Sequence, residues 1–204
     1  MIIFLRHAQA KNNVERILAG RTEGFPLTQT GLQQAEKIVK FLKPLEISAI
    51  YSSPIERAIN TAKIAAKNLN LEIKTDPRLT EIDMGMFSGM FYEDMFTKHG
   101  NVFLKFYQDN PIIEKNGVEP FSNVKKRVLD MVDYCSKEHK GQNVLLVTHM
   151  DPIKAMLSTI LHLKPESLYE LIIRNASLTI LKKEQNNYSL AAINSMNIER
   201  YIQD

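Results

Sequence analysis

The chain has 204 residues, 44% of them hydrophobic and 24% charged, with a net charge of +3 and one cysteine. That length buries a sizeable core as a single domain over 1–204, and a lone Cys135 excludes an internal disulfide. Apolar runs far short of a membrane span, an Arg6 too early for a secretory signal, and basic groups broken by acidic stretches indicate a cytoplasmic protein without membrane or nucleic-acid partners.

In chain order, residues 2 to 5 read as a strand, and the run stops abruptly at Arg6-His7. Such an ending delivers a cation and an imidazole to the carboxyl edge of a sheet, where open α/β proteins bind ligands. Residues 31 to 43 read as an amphipathic helix with Ala35, Ile38, Val39 and Leu42 on one face and Thr28 or Thr30 as its cap. Residues 47 to 51 are strand, 54 to 68 a helix opened by Pro54, and 71 to 75 a short strand. Residues 78 to 118 break the rhythm, with aromatics and methionines among Gly and Pro. This stretch reads as an inserted lid subdomain, 78–120, whose aromatics are local core rather than stacking platforms. Residues 121 to 138 are helix, 143 to 147 strand, and 152 to 161 helix with Asp151 as cap and Pro152 at its first position. Asn175 to Lys182 and Tyr188 to Ile193 form a terminal hairpin, and the apolar segment Ile193 to Ile202 is a faint hint of a homodimer surface. The alternation predicts an α/β fold, a three-layer sandwich with a mainly parallel central sheet covered by helices on both faces, plus the inserted lid.

Of five histidines, only His7 and His149 directly follow apolar, strand-like runs, so two imidazoles would emerge from two strand ends of one sheet. Arg57 falls in the first turn of the helix after the second strand, near its electropositive end, and suits an anion such as phosphate. The bland alternative pairs it with Glu56 on the surface. Glu81 and Asp83, flanked by apolar residues at the mouth of the lid, offer a carboxyl whose pKa burial would raise, as a general acid requires. Spacing alone does not separate that role from ordinary loop acids.

Several segments together resemble the histidine phosphatase superfamily, in its phosphoglycerate-mutase-like branch. They are Leu5-Arg6-His7-Ala8-Gln9, Pro26-Leu27-Thr28 with Gly31, Ser52-Ser53-Pro54 with Arg57-Ala58, Leu79 with Glu81 and Gly85, Glu119 with Arg127, Val147-Thr148-His149, and Asn175-Ala176-Ser177. The resemblance implies a nucleophilic His7, a phosphoryl group surrounded by Arg6, Arg57 and His149, and Glu81 as proton donor to the leaving oxygen. It also places Asn13, Arg21, Thr22 and Met150 at substrate-binding positions, and it implies a small phosphorylated substrate with neither metal nor cofactor. Hydrolysis is the expected reaction, since this chain is shorter than the family's typical mutases. A phosphoglycerate-type mutase, a catalytically silent ligand- or protein-binding relative, and a metal site built from His7, His149, Glu81 and Asp151 are the alternatives. Departures from the pattern fall at Gln9, at Glu119-Pro120, in the loop from Gly20 to Pro26, and in Met150-Asp151-Pro152-Ile153-Lys154. The last replaces a glycine pair and puts Lys154 where arginine is common.

Overall fold

The computed structural model describes residues 1–184 and 187–196. Strands β1 (Ile2–Arg6), β2 (Ile47–Ser52), β3 (Ile73–Thr75), β4 (Asn143–Thr148), β5 (Leu178–Glu184) and β6 (Asn187–Ser195) form one sheet in the order β3-β2-β4-β1-β5-β6. The first four are mutually parallel, and the β5–β6 hairpin adds an antiparallel edge beside β1. The fold is thus α/β with a mixed central sheet, and most of the segment Ile193 to Ile202 lies outside the described residues.

β1 and β4 are continuous apolar runs because both of their faces are covered. Ile3, Leu5, Leu145 and Val147 pack on one side against α2 (Gln29–Leu42) and α3 (Glu56–Leu69), through Ile38, Val39 and Leu42 and the small Ala58, Ala62 and Ala65. Ile2, Phe4, Val144 and Leu146 pack on the other side against α7 (Phe121–Glu138) and α8 (Met150–Leu161), through Val124, Val128, Met131, Ile153 and Leu157. Each fully buried Leu, Ile or Phe contributes about 1.5–3 kcal/mol. This two-sided burial fixes the register, because a one-residue slip would turn every side chain to the wrong layer. Cys135 is buried in α7, in the second of these layers.

Residues 78–120 carry more regular structure than their composition suggests. Pro77–Leu79 and Gly85–Phe87 are single 3-10 turns, and α4 (Tyr92–His99), α5 (Val102–Tyr107) and α6 (Pro111–Lys115) follow. Phe87, Met95, Phe106 and Ile113 join the α7/α8 side of the core. The short α1 (Lys11–Glu15) and α9 (Pro165–Glu170) were likewise not predicted. Among the described residues no helix is long and apolar enough to cross a membrane.

Two helix starts differ from expectation. α3 begins at Glu56 with Ile55 as its N-cap, so Pro54 precedes the helix. There the Ser53 hydroxyl accepts from the Ile55 N–H at 3.3 Å and ends the strand in a turn. α8 begins at Met150 with His149 at the N-cap, so Asp151 is its second residue rather than its cap. The Asp151 side chain is drawn inward instead, where it accepts a 2.6 Å hydrogen bond from the Tyr107 hydroxyl. Pro152 is tolerated because first-turn N–H groups have no helical acceptor.

The chain leaving His7 is clamped against α2. Thr28 caps that helix by accepting from the Gly31 N–H, and its own N–H donates to the Gln9 carbonyl at 3.0 Å. Gly31 lies so close that an added Cβ would collide with the Gln9 carbonyl. Gly31→Ala, usually stabilising within a helix, should here cost about 1–3 kcal/mol through overpacking. Denaturant unfolding of the variant checks this; unchanged or higher stability would contradict the close approach.

Candidate active site

The parallel pairing of β1 and β4 sets Arg6 opposite Thr148, so the residues that follow, His7 and His149, leave the sheet side by side. Their rings meet edge to face with centroids 5.1 Å apart, and the His7 N–H donates to the Thr148 carbonyl at 2.8 Å. His7 Nδ1 lies 2.8 Å from the Ala8 carbonyl oxygen, which only accepts, so Nδ1 carries the proton and Nε2 the lone pair. Arg57 Nε donates to that Nε2 at 3.3 Å. Burial and then the charges of Arg57 and Arg6 hold the His7 pKa well below its usual 6.5. His149 is pushed well down in the same way, by burial and then Arg57. Its Nε2 sits 2.8 Å from the Ser53 hydroxyl, and its buried Nδ1 has no partner.

Arg57 reaches this point from the first turn of α3. It is buried, donates to the Gly20 carbonyl at 2.6 Å, and makes no ion pair with Glu56. Arg6 donates to the Ile173 carbonyl, and its buried Nε has no partner among the described residues. Asn175 Nδ2 ties the His7 carbonyl (3.0 Å) to the Asn13 side chain (3.2 Å), and the Asn13 oxygen also accepts from the Ala10 N–H.

Glu81 enters from the opposite side on a backbone held by charge. The Arg127 guanidinium on α7 donates to the carbonyls of Arg78 (2.8 Å), Thr80 (2.7 Å) and Glu81 (3.3 Å), and is paired with Glu119 at 2.9 Å. Thr148 Oγ1 donates to the Leu79 carbonyl at 2.6 Å, fixing the same segment to the end of β4. The Glu81 carboxyl is pushed up to about 7, first by burial and then by the nearby Asp151, against the pull of Arg57. Asp83 is different: it accepts from the Gly85 N–H at 2.9 Å, half exposed in the loop.

Arg6, His7, Asn13, Arg57, Glu81 and Met150 line one half-open pocket of about 40 Å³, and His149 packs directly behind His7. Arg21 and Thr22 are not among its lining residues. Arg21 turns away because Glu119 holds it at 2.8 Å and the Glu81 carbonyl accepts from its Nε at 3.1 Å, while Thr22 is exposed in the loop. Sequence reading missed Asn12, Tyr92 and Phe103 in the lining, and offered Asp151 only as a helix cap and in the metal-site alternative. Tyr92 and Phe103, taken with the other lid aromatics as local core, stack at 5.7 Å and also wall an adjoining groove of about 210 Å³. The residual signal for Asp151 was Lys154 three residues on, which put both charges on one helix face. Among the described residues no three His, Cys, Asp or Glu side chains are grouped to hold a metal ion, so the metal-site alternative has no geometric footing there.

A lone-pair nitrogen flanked by two guanidinium groups, facing a carboxyl that keeps its proton near neutrality, is equipped for nucleophilic attack on a phosphorus centre with protonation of the leaving group. Comparison with known proteins agrees with that chemistry. The family model of the histidine phosphatase superfamily, branch 1, matches residues 2–196. The chain is 37% identical over 182 residues to a 2,3-bisphosphoglycerate-dependent phosphoglycerate mutase of Thermoplasma acidophilum, covering 89% of this chain and 86% of the relative. It is 30% identical to phosphoserine phosphatase 1 of Hydrogenobacter thermophilus, covering 95% and 91%. The solved structure of Bacillus stearothermophilus YhfR superposes with a TM-score of 0.85 at 29% identity, covering 93% of this chain and 94% of that one.

Both imidazoles are expected to stay neutral through mild acidification. In a nitrogen-edited NMR titration from about pH 7.5 to about 5.5, neither His7 nor His149 should show a midpoint near the ordinary histidine value of ~6.5. A His7 midpoint at or above that value would mean that the ring is solvated rather than buried.

Proposed function

The chain belongs to the histidine phosphatase superfamily, and from that premise we propose that it is a metal-independent phosphatase that hydrolyses a small phosphomonoester through a phosphohistidine on His7. The observation that carries this reading is the tautomer of His7: Nδ1–H is committed to the Ala8 carbonyl, leaving the Nε2 lone pair beside the Arg57 guanidinium.

In the first step Nε2 attacks phosphorus and the P–O ester bond breaks. Arg6, Arg57 and His149 stabilise the charge on the transferring oxygens, fixed donors of this kind contributing on the order of 3 kcal/mol each. Asn13 supplies a further amide contact. Glu81 gives its proton to the departing alkoxide, which leaves as the alcohol. In the second step the Glu81 carboxylate takes a proton from water, the water oxygen attacks phosphorus, and the P–N bond breaks. Inorganic phosphate leaves, and His7 and Glu81 return to their starting protonation. Met150 walls the pocket on the side of the alcohol, and residues 78–120 cover it as a lid.

The mutase reading is favoured by the identity to the Thermoplasma protein. Against it stands the state of Arg21. A bisphosphate needs a second anion site, and the Arg21 guanidinium is already engaged by Glu119 at 2.8 Å. We therefore propose no substrate-binding role for Arg21 or Thr22.

Phosphate release from a panel of phosphorylated metabolites should survive EDTA and fall by more than about a thousandfold in His7→Ala. Metal dependence, or substantial release by the variant, would sink the phosphohistidine assignment; conversion of 3-phosphoglycerate to its isomer in place of release would establish the mutase. Glu81→Gln should slow hydrolysis of alkyl phosphates by roughly 10²–10⁴-fold and affect p-nitrophenyl phosphate far less, because a good leaving group needs little protonation. For alkyl phosphates kcat/KM should decline as pH rises through about 7, since the protonated form of Glu81 is the reactive one. A flat profile there would assign the proton to another group.

A further inference from the structure

The hydrolysis leaves one carboxylate in the pocket unused. Asp151 is 3% exposed and lines the same space as Arg6, His7 and Glu81. Its Oδ1 accepts from the Tyr107 hydroxyl at 2.6 Å, and that hydroxyl accepts from Lys154 Nζ at 3.0 Å. Lys154 also donates to the Leu168 carbonyl at 2.7 Å, so the chain of contacts fixing Asp151 is itself buried and anchored. Among the described residues no ion pair engages Asp151, and Oδ1 is the oxygen the protein holds. Such a group repels a phosphate dianion and any second anion on the substrate.

Its position gives it a use. Glu81 serves the ester oxygen, so the alcohol part of the substrate starts at Glu81 and extends away from Arg6 and Arg57. Asp151 lines the pocket with Glu81, and the Tyr107 and Lys154 that anchor it line the adjoining groove with Met150, Tyr92 and Phe103, so it stands where the alcohol part would leave the pocket for that groove. We propose that Asp151 recognises an ammonium group on the alcohol part of the substrate, so that the enzyme prefers aminoalkyl phosphates to phosphomonoesters that are neutral or anionic at that position. The assignment rests on the phosphatase reading above. A hydroxyl needs only a neutral acceptor, whereas a buried carboxylate oriented through one oxygen is suited to a charge-assisted bond from N–H⁺. Tyr92 and Phe103, in the same lining, are aromatic neighbours of a kind compatible with a cation.

Phosphoethanolamine and ethylene glycol phosphate differ only in carrying ammonium or hydroxyl at the same carbon. The wild-type protein should hydrolyse the first with kcat/KM at least about tenfold higher, equivalent to ~1.4 kcal/mol. In Asp151→Asn that ratio should fall to within about threefold of unity, because the amide has lost the charge. Should that variant not fold, calorimetry of both compounds on His7→Ala gives the same comparison as binding, with the amine expected tighter by a similar factor. Equal rates or affinities for the two compounds, or a ratio unchanged in Asp151→Asn, would overturn the assignment. Turnover of p-nitrophenyl phosphate by the wild type, abolished in His7→Ala, reports separately on the phosphatase reading. Its presence without an amine preference would remove the role of Asp151 alone.

Discussion

Two guanidinium groups gathered at the end of a buried sheet, neither of them in an ion pair among the described residues, constrain everything around them. Desolvating an unpaired cation costs several kcal/mol, and the structure offsets only part of it with neutral acceptors. Arg57 is given the Gly20 carbonyl and the His7 lone pair, and Arg6 the Ile173 carbonyl. Carboxylates are kept further off. Glu119 is engaged by Arg127 and Arg21 instead. The consequence is a pocket whose field favours a dianion at one end, where the lone pair of His7 Nε2 also lies.

Secondary structure does most of the positioning. The same parallel pairing that buries Phe4 against Leu146 brings His7 and His149 together one step beyond the sheet. Arg57 is carried in by α3 after β2, the strand on the other side of β4. Glu81 has no strand or long helix to place it, and its segment is held instead by the three carbonyls that accept from Arg127. A site supported by strand ends on one side and by an arginine clamp on the other is rigid on both, as attack in line with a leaving group requires.

The legibility of these residues in the sequence followed how local their causes are. His7 and His149 stood out because an apolar strand that stops at a polar group is visible in a handful of residues. The roles attached to them came from the family resemblance, not from the pattern. Glu81 and Asp83 were not separable, since what distinguishes them is Arg127, more than forty residues away in the chain. Asp151 was misread as a cap because Asp-Pro before an apolar run is a helix-start signal, and the Tyr107 hydroxyl that overrides it is a tertiary contact. The three helices within residues 78–120 are short, and their apolar residues serve both the core and the pocket, so no single periodicity marks them. Arg21 followed the resemblance to a loop position, where Glu119 redirects it.

One environment sets two opposite proton affinities. Burial disfavours charge of either sign, so it lowers the pKa of an imidazole and raises that of a carboxyl. For His7 the neighbours add to it, since Arg57 and Arg6 push the imidazole further down; for Glu81 burial and Asp151 prevail over the opposing pull of the same two arginines and hold it at about 7. His7 therefore keeps its lone pair and Glu81 its proton over a shared range of pH, as the proposed roles require, although ordinary values would leave Glu81 ionised wherever His7 is neutral. Neither group needs separate tuning, because exclusion of water does most of the work for both. By the same logic, opening the pocket to solvent would ionise Glu81 and allow His7 to take up a proton within a narrow span of pH. Tyr92 and Phe103, which line the pocket, would thus act on the proposed chemistry without touching the proton or the phosphorus.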